Sequence, residues 1–166
     1  MKPSFRRLRA DDSLSGFDCG VDSLNAWVKK HANFNEQAGL SRTRLLASPS
    51  GTIMGYQSLS AGSIPKEHLP RKYVVRYPGY PIPIILLGRL AVDQEFKGNG
   101  YGHALMMDAL NETYKSASHV GAAALIVDAL DDAKDFYVTQ FAFRETENNP
   151  RRLWLPMSTI RSLVTA

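Results

Sequence analysis

Residues 84–103 read IILLGRLAVDQEFKGNGYGH and carry the strongest fold signal in this chain of 166 residues. The run at 84–92 is almost wholly apolar, which is typical of a strand covered on both faces. A glycine-rich turn follows at 98–102, and the apolar spacing of 104–110 predicts a helix after the turn. A second apolar run at 122–128 predicts the next buried strand. A strand, a helix and a strand in this order predict a crossover unit with two parallel strands.

The segments outside this unit predict further helices and strands. Helical apolar spacing occurs at 21–31 and 131–141, and a short helix is expected from Ser158. The other expected strands are a hairpin at 42–47 and 52–61 and a last strand at 153–155. The chain is therefore predicted to be one domain over residues 1–166, of the α/β or α+β class, with a mixed central sheet flanked by helices.

The segment 62–83 lies between the hairpin and the central strand and contains five prolines. Because proline has no backbone N–H, such a segment does not suit an internal strand. Four cationic side chains stand between the prolines, at Lys66, Arg71, Lys72 and Arg76. The segment is predicted to be a basic loop with one short helical turn.

Composition excludes several classes of protein. Hydrophobic residues make up 44% and charged residues 22%, which is ordinary globular usage and argues against disordered, collagen-like and coiled-coil chains. No apolar run is long enough to span a bilayer, and the start, MKPSFRRLRADDS, lacks the apolar stretch of a signal peptide. With Cys19 as the single cysteine, no internal disulfide is possible. A soluble protein of the reducing cytoplasm, without a membrane partner, is expected.

The net charge of +4 is unevenly distributed along the chain. Residues 1–83 hold 12 Lys and Arg against 6 Asp and Glu, whereas residues 84–166 hold 8 against 10. A basic face built by the first half would attract polyanions, including phosphate-rich cofactors and nucleic acid. A basic surface that only aids solubility remains the alternative on charge alone.

The turn Lys97–His103 has three alternating glycines between a strand and a helix. Glycines let a backbone approach a ligand closely, and the first amides of a helix have no internal partner, so the turn suits a phosphate group. It fits neither the Walker loop nor the dinucleotide fingerprint, because the glycine spacing differs. A turn that only reverses the chain stays an open alternative.

This turn resembles the acyl-CoA signature of the GNAT N-acetyltransferases, Gln/Arg-x-x-Gly-x-Gly/Ala, with Lys97 where Gln or Arg is usual. Further stretches look like the GNAT toxins of bacterial type II toxin-antitoxin pairs. That branch usually has Gly where this chain has Ala142. The matching stretches are Gly16–Gly20, Ser41–Thr43, Gly55-Tyr56, Ala61–Ser63, Gly88–Asp93, Phe136-Tyr137 and Phe141–Phe143.

The resemblance implies the GNAT fold and acetyl-CoA as co-substrate, with no metal. It implies that Tyr137 is the general acid that protonates the thiolate leaving group, although a tyrosine at helical apolar spacing is on its own more often a core residue. The cofactor-binding positions that it implies are Leu90, Ala91 and Val92 along the pantetheine arm and the acetyl group, Lys97, Gly98, Asn99, Gly100, Tyr101 and Gly102 at the pyrophosphate, and Phe136.

No general base is identified from the sequence. A lysine side chain, of pKa about 10.4, would need one, whereas an α-amine, of pKa about 7.7–8.0, is already partly neutral at pH 7. Asp93, Glu95 and the four histidines are base candidates by residue type only. The toxin branch acetylates the amine of charged tRNA and so blocks translation. This amine is an α-amine, so the acceptor needs little help from a general base.

A role in tRNA binding is predicted for four basic residues. Arg71, Lys72 and Arg76 stand in the proline-rich loop, and Arg89 stands in the apolar strand. Lys29, Lys30 and Arg42 are possible additions. Phosphate contacts give affinity without sequence selection, so the tRNA that is chosen does not follow from these residues.

The resemblance also implies partners: a second copy of the chain, a ribbon-helix-helix antitoxin whose C-terminal tail covers the active site, and promoter DNA bound through the antitoxin complex. Two other functions remain open at this point. One is a GNAT enzyme acting on a protein, polyamine or drug amine. The basic first half of the chain argues against such an enzyme if its acceptor is cationic. The other is a non-catalytic module that binds CoA or nucleic acid and tolerates loss of Tyr137.

Overall fold

The computed structural model describes residues 2–147 and 149–166. The strands are β1 (Ser4–Arg7), β2 (Arg42–Ala47), β3 (Ile53–Ile64), β4 (Ile82–Val92), β5 (Ala124–Asp128), β6 (Arg144–Thr146) and β7 (Asn149–Pro156). The helices are α1 (Asp22–Lys30), α2 (Ala32–Ala38), α3 (Arg71–Val74), α4 (Tyr101–Ala117), α5 (Lys134–Phe141) and α6 (Met157–Thr165). Short 3-10 turns occur at Lys66–His68 and Gln94–Phe96.

The strands form a mixed sheet in the order β1-β2-β3-β4-β5-β7-β6. Strands β4 and β5 are parallel, with Ile85 opposite Leu125, and α4 lies between them in sequence, so the predicted crossover unit is confirmed. Pairs β1-β2, β2-β3, β5-β7 and β6-β7 are antiparallel, which confirms the predicted mixed sheet and the α/β class.

The chain divides into two compact units, and β3, β4 and α4 contribute residues to both. The first unit consists of the chain up to Ser60 together with Gly88–Ala109. Its core is aromatic: Tyr56 stacks on Trp27 at a centroid distance of 6.0 Å, and Phe17 meets Tyr56 edge-on at 5.5 Å. This cluster fixes α1 over β3, because the Tyr56 hydroxyl also donates to the Leu24 carbonyl at 2.7 Å.

The second unit consists of Ala61–Leu87 and Leu110–Ala166. Trp154 of β7 is fully buried there, and its ring lies 5.6 Å from Tyr73 and 6.3 Å from Tyr77. Side chains from β4 and β5 complete this core, including Ile84 and Ile126. The prediction of a single domain over residues 1–166 stays a prediction.

The predicted proline-rich loop is shorter than 62–83 at both ends. Strand β3 continues to Ile64, and β4 begins at Ile82 and includes Pro83. Pro83 is tolerated because it is the second residue of its strand, and its carbonyl accepts a hydrogen bond from the Ala123 N–H at 2.9 Å. The expected short helical turn within the segment is present as α3.

Candidate active site

Along the C-terminal half of β4, one strand edge has no partner strand among residues 2–147 and 149–166. Strand β4 pairs with β5 over Ile85–Leu87 and then continues for five residues to Val92. The N–H of Asp93 donates to the Met54 carbonyl at 2.8 Å, so the backbone groups of Asp93, and of every second residue before it, point towards β3. Because alternate residues of a strand direct their backbone groups to opposite edges, those of Leu90 and Val92 face away from β3. They suit an amide-bearing chain such as a pantetheine arm.

The end of β4 is held in place by Gly55 of β3. A Cβ at position 55 would lie 2.7 Å from Leu105 Cδ1 and 2.8 Å from the Ala91 carbonyl oxygen. Only glycine therefore allows β3 to pack this closely against β4 and α4. The side chain of Ala91 is buried and belongs to the aromatic core of the first unit.

The glycine turn after β4 adopts a backbone conformation that is unfavourable for residues with a Cβ. Gly98 and Gly100 have φ angles of 82° and 81°, in the left-handed region. The helix begins at Tyr101, and the Ala104 N–H donates to the Gly100 carbonyl at 3.1 Å. The amides of Tyr101 and Gly102 therefore have no acceptor within the helix and lie at its positive end, where anions are stabilised. This geometry fits a pyrophosphate.

Two of the predicted cofactor residues brace the turn with their side chains. Lys97 Nζ donates to the Cys19 carbonyl at 2.7 Å. Asn99 Nδ2 donates to the carbonyls of Phe96 and Lys97 at 3.0 and 3.2 Å. An anion bound at this turn would therefore contact backbone amides, while the side chains of Lys97 and Asn99 hold the shape of the turn.

Asp93, a candidate for the general base, has a structural role, because its carboxylate binds backbone N–H groups. Its carboxylate is buried and accepts from the Asp18 N–H at 3.0 Å and the Glu95 N–H at 2.9 Å, which fixes the 3-10 turn before the glycine turn. A cleft of about 450 Å³ beside this turn is lined by Asp18, Asp93 and Glu95, and its charge disfavours phosphate groups. The side chains of Glu95 and the four histidines, His31, His68, His103 and His119, are exposed.

Tyr137 lies in the second unit, on α5, and this residue is only 6% exposed. Phe136 and Phe143 contact the ring edge-on at 5.2 and 5.6 Å. Burial raises the pKa of Tyr137 to about 12, so the phenol keeps its proton at neutral pH. Within residues 2–147 and 149–166, no protein group hydrogen-bonds its hydroxyl. The phenol is available as a proton donor.

The predicted tRNA-binding residues of the proline-rich segment form a small cationic cluster in the second unit. Arg71, Lys72 and Arg76 are exposed on and just after α3. Lys72 Nζ and the Arg76 guanidinium lie 5.0 and 5.7 Å from the ring centre of Tyr73, which is buried beneath them. No carboxylate pairs with the three cations in the part of the chain that the structure describes.

Arg89 belongs to the first unit and is half-buried. Its guanidinium lies 4.3 Å from the centre of the Trp27 ring, and burial lowers its pKa. Among the possible additions, Lys29 and Lys30 are exposed at the end of α1, whereas Arg42 is engaged by Glu36 at 2.9 Å. The helical apolar spacing places Trp27 in a helix, but it does not predict the contact between Trp27 and Arg89.

Two negative findings apply to the described ranges, 2–147 and 149–166. They contain no group of three or more His, Cys, Asp or Glu side chains arranged to hold a metal ion. None of their helices has the length and apolar character required to cross a membrane.

Comparison with known proteins identifies relatives over nearly the whole chain. Residues 84–161 match the model of the acetyltransferase (GNAT) domain. The tRNA-acetylating toxin of Mycobacterium tuberculosis is 34% identical over 160 residues, covering 96% of this chain and 95% of that protein.

Two solved structures have the same fold. AtaT complexed with acetyl-methionyl-tRNAfMet has a TM-score of 0.88 and 27% identity, covering 98% of this chain and 99% of that one. A tyrosine-to-phenylalanine variant of the AtaT toxin, bound to the C-terminus of the antitoxin AtaR, has a TM-score of 0.81 and 27% identity, covering 99% of both chains.

Proposed function

The chain belongs to the GNAT acetyltransferases, and from that premise we propose that it is a toxin that transfers acetyl from acetyl-CoA to the α-amine of aminoacyl-tRNA. The observation that carries this proposal is the near full-length similarity to a tRNA-acetylating toxin. The anion site at the start of α4 and the protonated Tyr137 supply the parts that such a reaction requires.

Acetyl-CoA binding is assigned mainly to the first unit. The amides at Gly98–Gly102 bind the pyrophosphate, braced by Lys97 and Asn99. The outer backbone edge of Leu90 and Val92, with Ala91 between them, pairs with the pantetheine arm and the acetyl group at its end. Phe136, half-buried beside Tyr137, is assigned to the thioester end of the co-substrate.

In the proposed reaction the α-amine nitrogen attacks the thioester carbonyl, and a C–N bond forms as the C–S bond breaks. A backbone amide near the acetyl oxygen stabilises the developing oxyanion. The departing thiolate takes the phenolic proton of Tyr137, the proton lost by the amine goes to water, and the phenolate of Tyr137 then regains a proton from water. No general base is required, because an α-amine of pKa about 7.7–8.0 is partly neutral at pH 7.

The tRNA is bound through its phosphates in this proposal. Arg71, Lys72 and Arg76 are exposed cations without carboxylate partners in the described chain, and Arg89 is a fourth. Such contacts give affinity and orientation, and they weaken as salt rises. The identity of the amino acid on the tRNA is not assigned.

The proposal includes partners and a place of action. AtaT, a structural neighbour, has been solved with the C-terminus of an antitoxin, and we propose an equivalent antitoxin for this chain, of the ribbon-helix-helix type. The pair would bind promoter DNA through the antitoxin and repress its own expression. A homodimer acting in the cytoplasm, without a metal, completes the proposal.

The test is transfer of labelled acetyl from acetyl-CoA to total aminoacyl-tRNA, to lysine-containing peptides and to polyamines, each in the same buffer. We expect label on one or a few charged tRNAs and none on the other amines. Label on peptides or polyamines alone would move the chain to a different branch of the acetyltransferases. Binding of acetyl-CoA with no transfer to any amine would favour the non-catalytic module.

A further inference from the structure

Arg89 and Trp27 form an unusual pair within the first unit. The guanidinium stacks over the indole at 4.3 Å, and the Trp27 ring is buried in the aromatic core. The nearby phenol of Tyr56 donates a hydrogen bond to the Leu24 carbonyl, and burial raises its pKa, so it stays neutral and offers Arg89 no charge. In the described residues no Asp or Glu side chain pairs with Arg89. The guanidinium is a half-buried cation with unused N–H donors.

A half-buried cation without a counter-charge has a free-energy cost that an anionic ligand offsets. Stacking on a tryptophan holds the guanidinium plane in one orientation and leaves its edge donors to bind an anion with two parallel hydrogen bonds. Phosphate oxygens suit this edge geometry. The pair therefore has the form of a prepared phosphate site.

The position of Arg89 on β4 indicates which phosphate is bound. Arg89 and Ala91 share one face of the strand, because side chains alternate along it, and they are two residues, or about 6.6 Å, apart. Ala91 lies in the segment assigned to the acetyl end of acetyl-CoA. A phosphate bound by Arg89 is thus close to the amine that receives the acetyl group.

We propose that Arg89, oriented by Trp27, binds the phosphodiester on the 5′ side of the terminal adenosine that carries the amino acid. This inference rests on the proposed function. Arg89 touches the acceptor, and Trp27 is a positioning residue that acts through it. The pair would thereby select an amino acid attached to a nucleic acid strand over a free amino acid ester.

The experiment compares two small acceptors that differ by one charge. Both are aminoacyl dinucleotides ending in adenosine, one with an ordinary phosphodiester and the other with a neutral methylphosphonate linkage. For the wild-type protein, KM is expected to be about tenfold lower with the phosphodiester, since a charge-assisted hydrogen bond contributes about that factor. In Arg89→Gln the two KM values are expected to agree within about twofold.

Trp27 is tested by coupling to Arg89. Trp27→Leu is expected to lose most of the tenfold preference, whereas Trp27→Phe, which keeps a ring, retains part of it. In an Arg89→Gln background, Trp27→Leu should change the KM no further, because a positioning residue acts only through its partner. The melting temperature and the acetyl-CoA Kd are measured for each variant. If Trp27→Leu does not fold, Trp27→Phe replaces it in the comparison of the single and double variants. Arg161→Gln, an exposed arginine of α6, is the charge-matched control.

Full-length charged tRNA gives a second measurement. Arg89→Gln is expected to raise KM about tenfold with little change in kcat, and to reduce the slope of log KM against log salt by about 0.7. If Arg89→Gln keeps the wild-type preference for the phosphodiester and the wild-type salt slope, this inference is overturned but the proposed function is not. Weaker acetyl-CoA binding with unchanged acceptor KM would also overturn it, by placing the anion on CoA. Failure of the wild-type protein to acetylate any charged tRNA would instead overturn the proposed function.

Discussion

At the scale of single residues, substitution of Tyr137 has the most specific expected effect, a fall in kcat. The Tyr137 phenol is buried and protonated, and its hydroxyl has no hydrogen-bond partner among the described residues, so it can donate its proton to a substrate. Tyr137→Phe removes one oxygen and keeps the contacts with Phe136 and Phe143. We expect kcat to fall about 10²–10⁴-fold, the usual contribution of a general acid, with acetyl-CoA Kd nearly unchanged. Steady-state kinetics and calorimetric titration measure the two quantities. An unchanged kcat would remove Tyr137 from the reaction.

The same residue predicts a dependence of stability on alkaline pH. The pKa of Tyr137 is raised by burial from about 10 to about 12, so the folded state favours the protonated phenol. Its contribution, up to about 3 kcal/mol, is fully present below pH 10 and is lost between pH 10 and 12. Denaturant unfolding across this range should show a steeper loss in wild type than in Tyr137→Phe. Parallel curves for the two proteins would contradict the assignment.

Several features of the site at this scale were not predictable from the sequence. The alternation of glycine and the positions of Lys97 and Asn99 predict an anion site, but not that both side chains bind backbone carbonyls of the turn and its neighbours. Arg89 and Trp27 are 62 positions apart in sequence, and only the packing of α1 beside β4 brings them together. Contacts of this kind depend on tertiary structure, which local patterns do not contain.

At the scale of elements, the end of α5 carries backbone strain. Ala142 caps the helix in the left-handed region, with φ of 64°, which is unfavourable for a residue with a Cβ. Ala142→Gly should therefore stabilise the fold by about 1 kcal/mol and raise Tm by about 2–4 °C. Ala38→Gly, at an exposed helical position of α2, is the control and should lower Tm. Equal decreases in both variants would contradict the strain argument.

The glycine turn before α4 gives the second prediction at this scale. Gly100 has a φ of 81°, so Gly100→Ala strains the turn and shifts the first helical amides. We expect acetyl-CoA Kd to rise about tenfold, on the basis of about 1–2 kcal/mol of strain. Gly121→Ala, an exposed position with ordinary φ and open space around the Cβ, should leave Kd unchanged. Isothermal titration with each variant measures both values. A Kd in Gly100→Ala equal to that of wild type would exclude the turn as the anion site.

The elements differ in how far the sequence predicts them. The long apolar runs and amphipathic spacing predict β4, β5, α4 and α5, because burial on one or both faces leaves a clear pattern. Strand β1 was missed because its four residues, SFRR, are short and half basic. Helix α2 was missed because it follows α1 after only His31 and has one buried residue, Ala32.

At the scale of the whole molecule, ion pairs determine which cations of the first half of the chain stay available to bind a ligand. Arg6 pairs with Asp12, Arg44 with Asp108, and Arg7 and Arg42 share Glu36. The cations of the proline-rich segment are left without carboxylate partners within the described ranges. Ion pairing leaves the net charge unchanged but takes the paired cations out of the basic face, so the proline-rich segment supplies most of the cations proposed for tRNA.

The central claim, acetylation of the α-amine of charged tRNA, is tested most directly by identifying the product. Total aminoacyl-tRNA is incubated with the protein and acetyl-CoA and digested with a nuclease, and the terminal aminoacyl-adenosines are examined by mass spectrometry. We predict that one or a few of them gain a single acetyl group on the α-nitrogen, and that Tyr137→Phe reduces this gain at least 100-fold, as expected for a general acid. Aminoacyl-adenosines that all keep their original mass, in the presence of protein that binds acetyl-CoA, would contradict the account.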